Sequence, residues 1–94
     1  MIQRISEPVS VIFSSFVGAG SSRPQTSSSI RPISLQWGHH EYSVSQVGLR
    51  HTYRDGITRH HVFSVVGGNL FFRLNLNADN LSWTLEEVSD GLPD

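Results

Sequence analysis

Five histidines fall between residues 39 and 61, as the adjacent pairs His39-His40 and His60-His61 and the single His51. Imidazoles at this density are the chain's best candidates for metal binding or proton transfer. Strand geometry argues against a shared ion, because neighbours on a strand point to opposite faces, so His60 and His61 diverge. The register developed below sets His51 opposite Arg59, which would repel a cation. It sets His61 inside, beside Leu49 and Leu74, as a hydrogen-bonded core histidine. No metal and no cofactor is therefore expected. Nucleophile chemistry has no better support, since the many serines include no Gly-x-Ser-x-Gly elbow. Glu86 and Glu87 would face opposite sides of a strand and make no carboxylate pair. The stretch Gly18-Ala19-Gly20-Ser21-Ser22 lacks the rest of a phosphate loop, and the chain has no lysine.

The elements that must carry these residues are strands. After Gly68, Leu70, Phe72, Leu74 and Leu76 alternate with Asn69, Phe71, Arg73 and Asn75, the period of a strand with one buried face. Residues 1–6 read as a frayed lead-in, and Pro8 as the first position of a strand through Val9, Val11 and Phe13. Ile33, Leu35 and Trp37 share the face of a second strand. No segment has a helical period.

Turn chemistry sets the expected register. A four-residue turn at Gly38-His39-His40-Glu41 sets Trp37 beside Tyr42 and Leu35 beside Val44. The apolar parity then changes from Tyr42 and Val44 to Val47 and Leu49, which predicts a β-bulge near Ser45-Gln46. A three-residue turn at Arg54-Asp55-Gly56 pairs Val47 with Phe63 and Leu49 with His61. A Gly67-Gly68 turn pairs Phe63 with Phe72 and His61 with Leu74. A turn at Asn77-Ala78-Asp79-Asn80 pairs Leu76 with Leu81 and Leu74 with Trp83. Independent turns converge on one apolar face. The expected fold class is all-β, an antiparallel meander of about five to six strands forming a curved sheet or small half-open barrel.

Ninety-four residues make a single domain, 1–94, and a chain of this size buries roughly 60–65% of its unfolded surface. A flexible Ser/Gly-rich loop is expected at 18–29, and a loose acidic tail at 89–94. Net charge is −1, so bulk charge selects no partner. Residues 31–73 carry five Arg, all five His and only Glu41 and Asp55 as acids, whereas 74–94 carry five acids and no base. These charges could pair within the sheet or present a basic middle face. The chain has no cysteine, which excludes disulfides and thiolate chemistry and fits a reducing, cytoplasmic location. The apolar run near Val11–Val17 is too short and too broken by serine to span a bilayer, and residues 1–17 contain no clean signal-peptide core. No membrane partner is expected.

Arg31-Pro32, Trp37-x-x-x-x-Tyr42-x-Val44, Phe63-x-Val65, Phe72-x-Leu74 and Trp83-x-Leu85-Glu86-x-Val88 together form a pattern over residues 31–90, about two thirds of the chain. The set resembles a family of small bacterial β-domains of uncharacterised function. The resemblance implies a β fold. Through a link of some members to error-prone DNA repair genes, it also implies a nucleic-acid context. The chain departs from the pattern in its Ser-rich insert at 18–29, and in Leu49-Arg50-His51 where an aromatic residue is commoner.

The expected register gathers Arg50, His60, Asn75 and Ser82 in one outer row, and Val62, Arg73 and Thr84 in the next, with Phe71 between Ser64 and Glu86. An aromatic residue among arginines and polar groups suits a protein contact. The chain is accordingly read as a non-enzymatic binding or assembly module that self-associates as a homodimer or meets another protein through Arg50, His60, Val62, Phe71 and Arg73. The alternative is a nucleic-acid accessory protein using Arg50, Arg59, Arg73, His60 and Phe71, by stacking and phosphate contact. A third reading is a small enzyme with a pocket lined by His61, His51 and Glu41.

Overall fold

The computed structural model describes residues 1–15 and 30–91, so the expected 18–29 loop and residues 92–94 lie outside the described residues. Six antiparallel strands follow one another as a meander: β1 (Ile2–Ser15), β2 (Ile30–Trp37), β3 (His40–Asp55), β4 (Thr58–Gly67), β5 (Leu70–Asn77) and β6 (Ser82–Ser89). They close into a barrel in chain order. Closure falls to β1. Its first half pairs with β6, from Ile2 opposite Ser89 to Val9 opposite Trp83. Its second half pairs with β2, from Ser10 opposite Gln36 to Ser15 opposite Ile30. Residues 2–6 are thus part of the barrel wall rather than a frayed lead-in, and Pro8 lies mid-strand opposite Thr84. A bulge at Ile5-Ser6, with Ser6 at φ 54°, bends β1 between its neighbours.

Three of the connections obey one rule that the expected register missed. Each is a two-residue turn whose first member is glycine at positive φ: Gly38-His39 (62°), Gly56-Ile57 (64°) and Gly68-Asn69 (60°). Positive φ at the first central residue alone is the type II′ pattern, whose twist matches that of the flanking strands. The closing pairs are therefore Trp37–His40, Asp55–Thr58 and Gly67–Leu70. The four-residue turn runs from 78 to 81, one residue later than expected, with the Leu81 N–H donating to the Asn77 carbonyl at 2.8 Å. Relative to expectation, Trp37 meets His40 rather than Tyr42, Phe63 meets Leu74 rather than Phe72, and Leu76 meets Trp83 rather than Leu81. Each slip is two residues. An even slip leaves every side chain on its own face, which is why the apolar face survives.

β3 is where the faces change. The bulge expected near Ser45-Gln46 lies between Val44 and Gln46, and a second one falls between Val47 and Arg50. Carried down from Asp55–Thr58 without interruption, the ladder would set Val47 opposite Val66 on the outer face. The extra residue at Gly48-Leu49 returns Val47 to the inner row, opposite Val65. The consequence is that Leu49 is 79% exposed instead of packing on His61. His51 lies opposite Val62 rather than Arg59, and Arg50 lies opposite Phe63.

Phe63, Val65, Phe72, Leu74, Leu76 and Leu85 are fully buried at the centre of the core. Each such side chain contributes about 1.5–3 kcal/mol through removal from water. Trp83 packs its ring 5.6 Å from Phe63 and 5.5 Å from Phe13, tying β6 to β4 and β1 across the interior. At the other end Tyr42 and Phe72 lie 5.0 Å apart over Gly67, where a Cβ would come within 3.1 Å of the Ser43 carbonyl oxygen. Two polar atoms are enclosed with this core. His61 Nδ1 and Trp83 Nε1 are buried without a hydrogen-bond partner among the described residues, so His61 is internal as expected but its Nδ1 lacks a partner there.

Candidate binding surface

The outer face of β3–β6 is ordered in rows by the pairing just described. Val66, Phe71 and Ser89 form one row, continued by Ile2 on β1. Ser64, Arg73 and Glu87 form the next, continued by Arg4. His51, Val62, Asn75 and Thr84 follow, and then Tyr53, His60, Asn77 and Ser82.

The first two rows enclose a groove of about 340 Å³. Its floor is low because the β3 bulge puts Gly48 there and β4 contributes Ser64, while Phe71, Val66, Gln46 and Arg73 stand around it. Phe71 is 48% exposed, and Ile2, at 56%, extends the apolar lining onto β1. The Phe71 ring leans on the backbone of Gly91, where a Cβ would fall 2.7 Å from its Cε2. Along the charged row, Glu87 lies between Arg73 (3.6 Å) and Arg4 (3.9 Å). Exposed pairs of this kind contribute little to stability, but they fix where charge stands at the groove's rim.

The other two rows carry a hydrogen-bonded cluster. Asn75, 7% exposed, donates through Nδ2 to the Tyr53 hydroxyl (2.9 Å) and to Glu86 Oε2 (3.1 Å), and its Oδ1 lies 2.9 Å from His60 Nδ1. A carboxylate only accepts, so Glu86 fixes the amide orientation. Asn75 Oδ1 is then the acceptor and His60 Nδ1 the donor, which leaves Nε2 of the neutral imidazole as an acceptor. The His60 and Tyr53 rings stack at 4.8 Å with 9° between their planes. Glu86 reaches this cluster because it is the extra residue of a bulge on β6 opposite Arg73-Leu74. Glu86 and Glu87 thereby serve two different outer-face networks.

Of the five residues expected on the binding surface, Phe71 and Arg73 line the groove together. His60 belongs to the Asn75 cluster. Val62 lies in the same outer face but is only 3% exposed. Arg50 faces the other way, half-buried in the inner row of Phe63. Sequence reasoning placed Asn75 and Glu86 on the outer face but outside the binding set, and missed Tyr53 and Ile2. The signal that would have found Tyr53 is the glycine-first rule at Gly56, which alone sets Tyr53 opposite His60. The His61-His51-Glu41 pocket is not formed: His61 points inward opposite Thr52, His51 is outer and exposed, and Glu41 lies at the other end of β3. His61 itself titrates below the usual histidine range, first because burial disfavours its charge and then because Arg59 and His60 repel it. Among the described residues no three His, Asp or Glu side chains gather as a metal site, and no helix is long and apolar enough to cross a membrane.

Comparison with family models, with curated proteins and with solved structures finds no match to this chain.

Proposed function

We propose that the chain is a non-enzymatic binding and assembly module, which takes an apolar side chain of a protein partner into the Phe71 groove and also self-associates. The observation that carries this reading is a half-exposed phenylalanine heading an apolar groove with a fixed Arg–Glu rim. Aromatic and arginine side chains at the centre of a depression are favoured contact anchors. Selection of displayed random peptides against the protein, repeated with Phe71→Ser and Arg73→Glu, is the test. Peptides that bind the wild type and lose both variants support the reading. Peptides that bind all three equally would remove the groove from it.

A second reading, nucleic-acid binding, is supported by the β3–β4 hairpin tip. There Arg54 lies directly opposite Arg59, both exposed, one ladder step from the Tyr53–His60 stack and on the opposite face of the hairpin. Like charges placed opposite each other on a ladder are unfavourable unless an anion answers them. Binding of a mixed-sequence single-stranded oligonucleotide that weakens steeply with salt would favour this reading.

A further inference from the structure

Among the described residues, the longest strand edge left without a partner is on β3. β3 has sixteen residues, and β2 pairs with it only from His40 to Ser43. From there to Asp55, β3 is paired with β4 on one side, and no described strand lies on the other. Bulges interrupt this edge up to Arg50, but from Arg50 to Asp55 the ladder with β4 is regular. Residues 51–55 are all exposed. The edge segment contains neither Pro nor Lys, two of the devices that ordinarily keep such an edge from pairing.

The turn decides which backbone groups this edge offers. Asp55–Thr58 is the closing pair of a two-residue hairpin, so Asp55, Tyr53 and His51 direct their N–H and C=O groups to β4. Thr52 and Arg54 direct theirs outward. A copy related by a twofold axis perpendicular to the sheet must pair residues of equal parity, since that axis keeps outer side chains outer. Two registers satisfy this at the middle of the run. With Thr52 on the axis, Arg50 meets Arg54 twice. With Tyr53 on the axis, Thr52 exchanges both backbone hydrogen bonds with Arg54 of the second copy, and His51 stands opposite Asp55 on each side.

We infer that β3 pairs antiparallel with β3 of a second copy, in the register centred on Tyr53, to form an isologous dimer with a continuous sheet. This inference rests on the self-association in the reading above and assigns it to the β3 edge rather than to the groove. Charge complementarity selects the register, and four backbone hydrogen bonds join the copies.

Sedimentation across a concentration series, with amide hydrogen exchange on the same samples, tests it. The wild type is expected to dimerise, and the Thr52 and Arg54 amides to gain protection with concentration while the Tyr53 amide, already paired to β4, stays unchanged. Thr52→Pro removes one outward donor per copy without touching the β4 ladder, so self-association should weaken roughly thirtyfold. Phe71→Ser should leave the dimer intact. A dimer without the alternating Thr52/Arg54 protection would overturn the edge assignment and leave self-association standing. So would a folded Thr52→Pro that dimerises like wild type. A wild type that stays monomeric at every concentration would overturn both.

Discussion

The imidazole Nδ1 of His60 lies 2.9 Å from Oδ1 of Asn75, which is held in place by Glu86. Two strands and a β6 bulge meet in this contact, and it selects the tautomer of the neutral ring. Neutral His60 should carry its proton on Nδ1, which the ring-nitrogen shifts of the free protein will show. Asn75→Leu should lose that signature and cost about 1–3 kcal/mol, because Glu86 and Tyr53 each lose a buried partner.

Stability should respond to His61. Its folded-state pKa is depressed below the ordinary histidine value of 6.5. The unfolded chain therefore takes up the proton first as pH falls. The linked stability is fully present above the unfolded pKa and is lost as pH drops through 6.5 and on toward the folded value. Denaturant unfolding across this range should show the loss, and His61→Leu should flatten it.

Gly67 faces a different constraint. Its Cβ position lies 3.1 Å from the Ser43 carbonyl oxygen and 3.4 Å from both Tyr42 and Phe72. Gly67→Ala should destabilise by about 1–3 kcal/mol through this overpacking, as read by thermal or denaturant unfolding. The same unfolding experiment should find Gly67→Ala additive with a change at distant Leu81.

Leu81 holds φ at 57° in the four-residue turn, with its side chain 61% exposed. A left-handed leucine costs roughly 1–2 kcal/mol, and its exposure returns little of it. Leu81→Gly or Leu81→Asn should raise the unfolding midpoint, Asn because its short polar side chain tolerates this conformation.

Gly91 underlies the aromatic wall of the groove. Gly91 has φ 79°, and a Cβ there would fall 2.7 Å from the Phe71 ring. Gly91→Ala should displace that ring, which aromatic NMR shifts of Phe71 will report, while the shifts of the buried Phe63 stay unchanged.

The alternation of Leu70, Phe72, Leu74 and Leu76 was enough to read an all-β meander and to assign most inner residues, because periodicity depends only on the backbone pleat. Errors of two residues in three registers did no harm to those assignments, since parity survives an even slip. The candidate surface was less legible. Phe71 and Arg73 are outer by parity and were readable. Arg50 and Tyr53 were not, because their faces depend on the two-residue turn at Gly56-Ile57, which sets them opposite Phe63 and His60.

What the sequence by itself determined is the strand-forming pattern, the glycines that permit tight turns, and the apolar face they share. These are local properties of side-chain type and φ. Only the tertiary structure decided that β1 bridges β6 and β2, that Gly48-Leu49 gives up a leucine to return Val47 to the core, and that Glu86 and Glu87 serve different networks. Those outcomes are set by long-range strand pairing, in which the register fixed at a turn must be reconciled with the inner rows of the barrel. Any mismatch in length or parity is then taken up by a bulge.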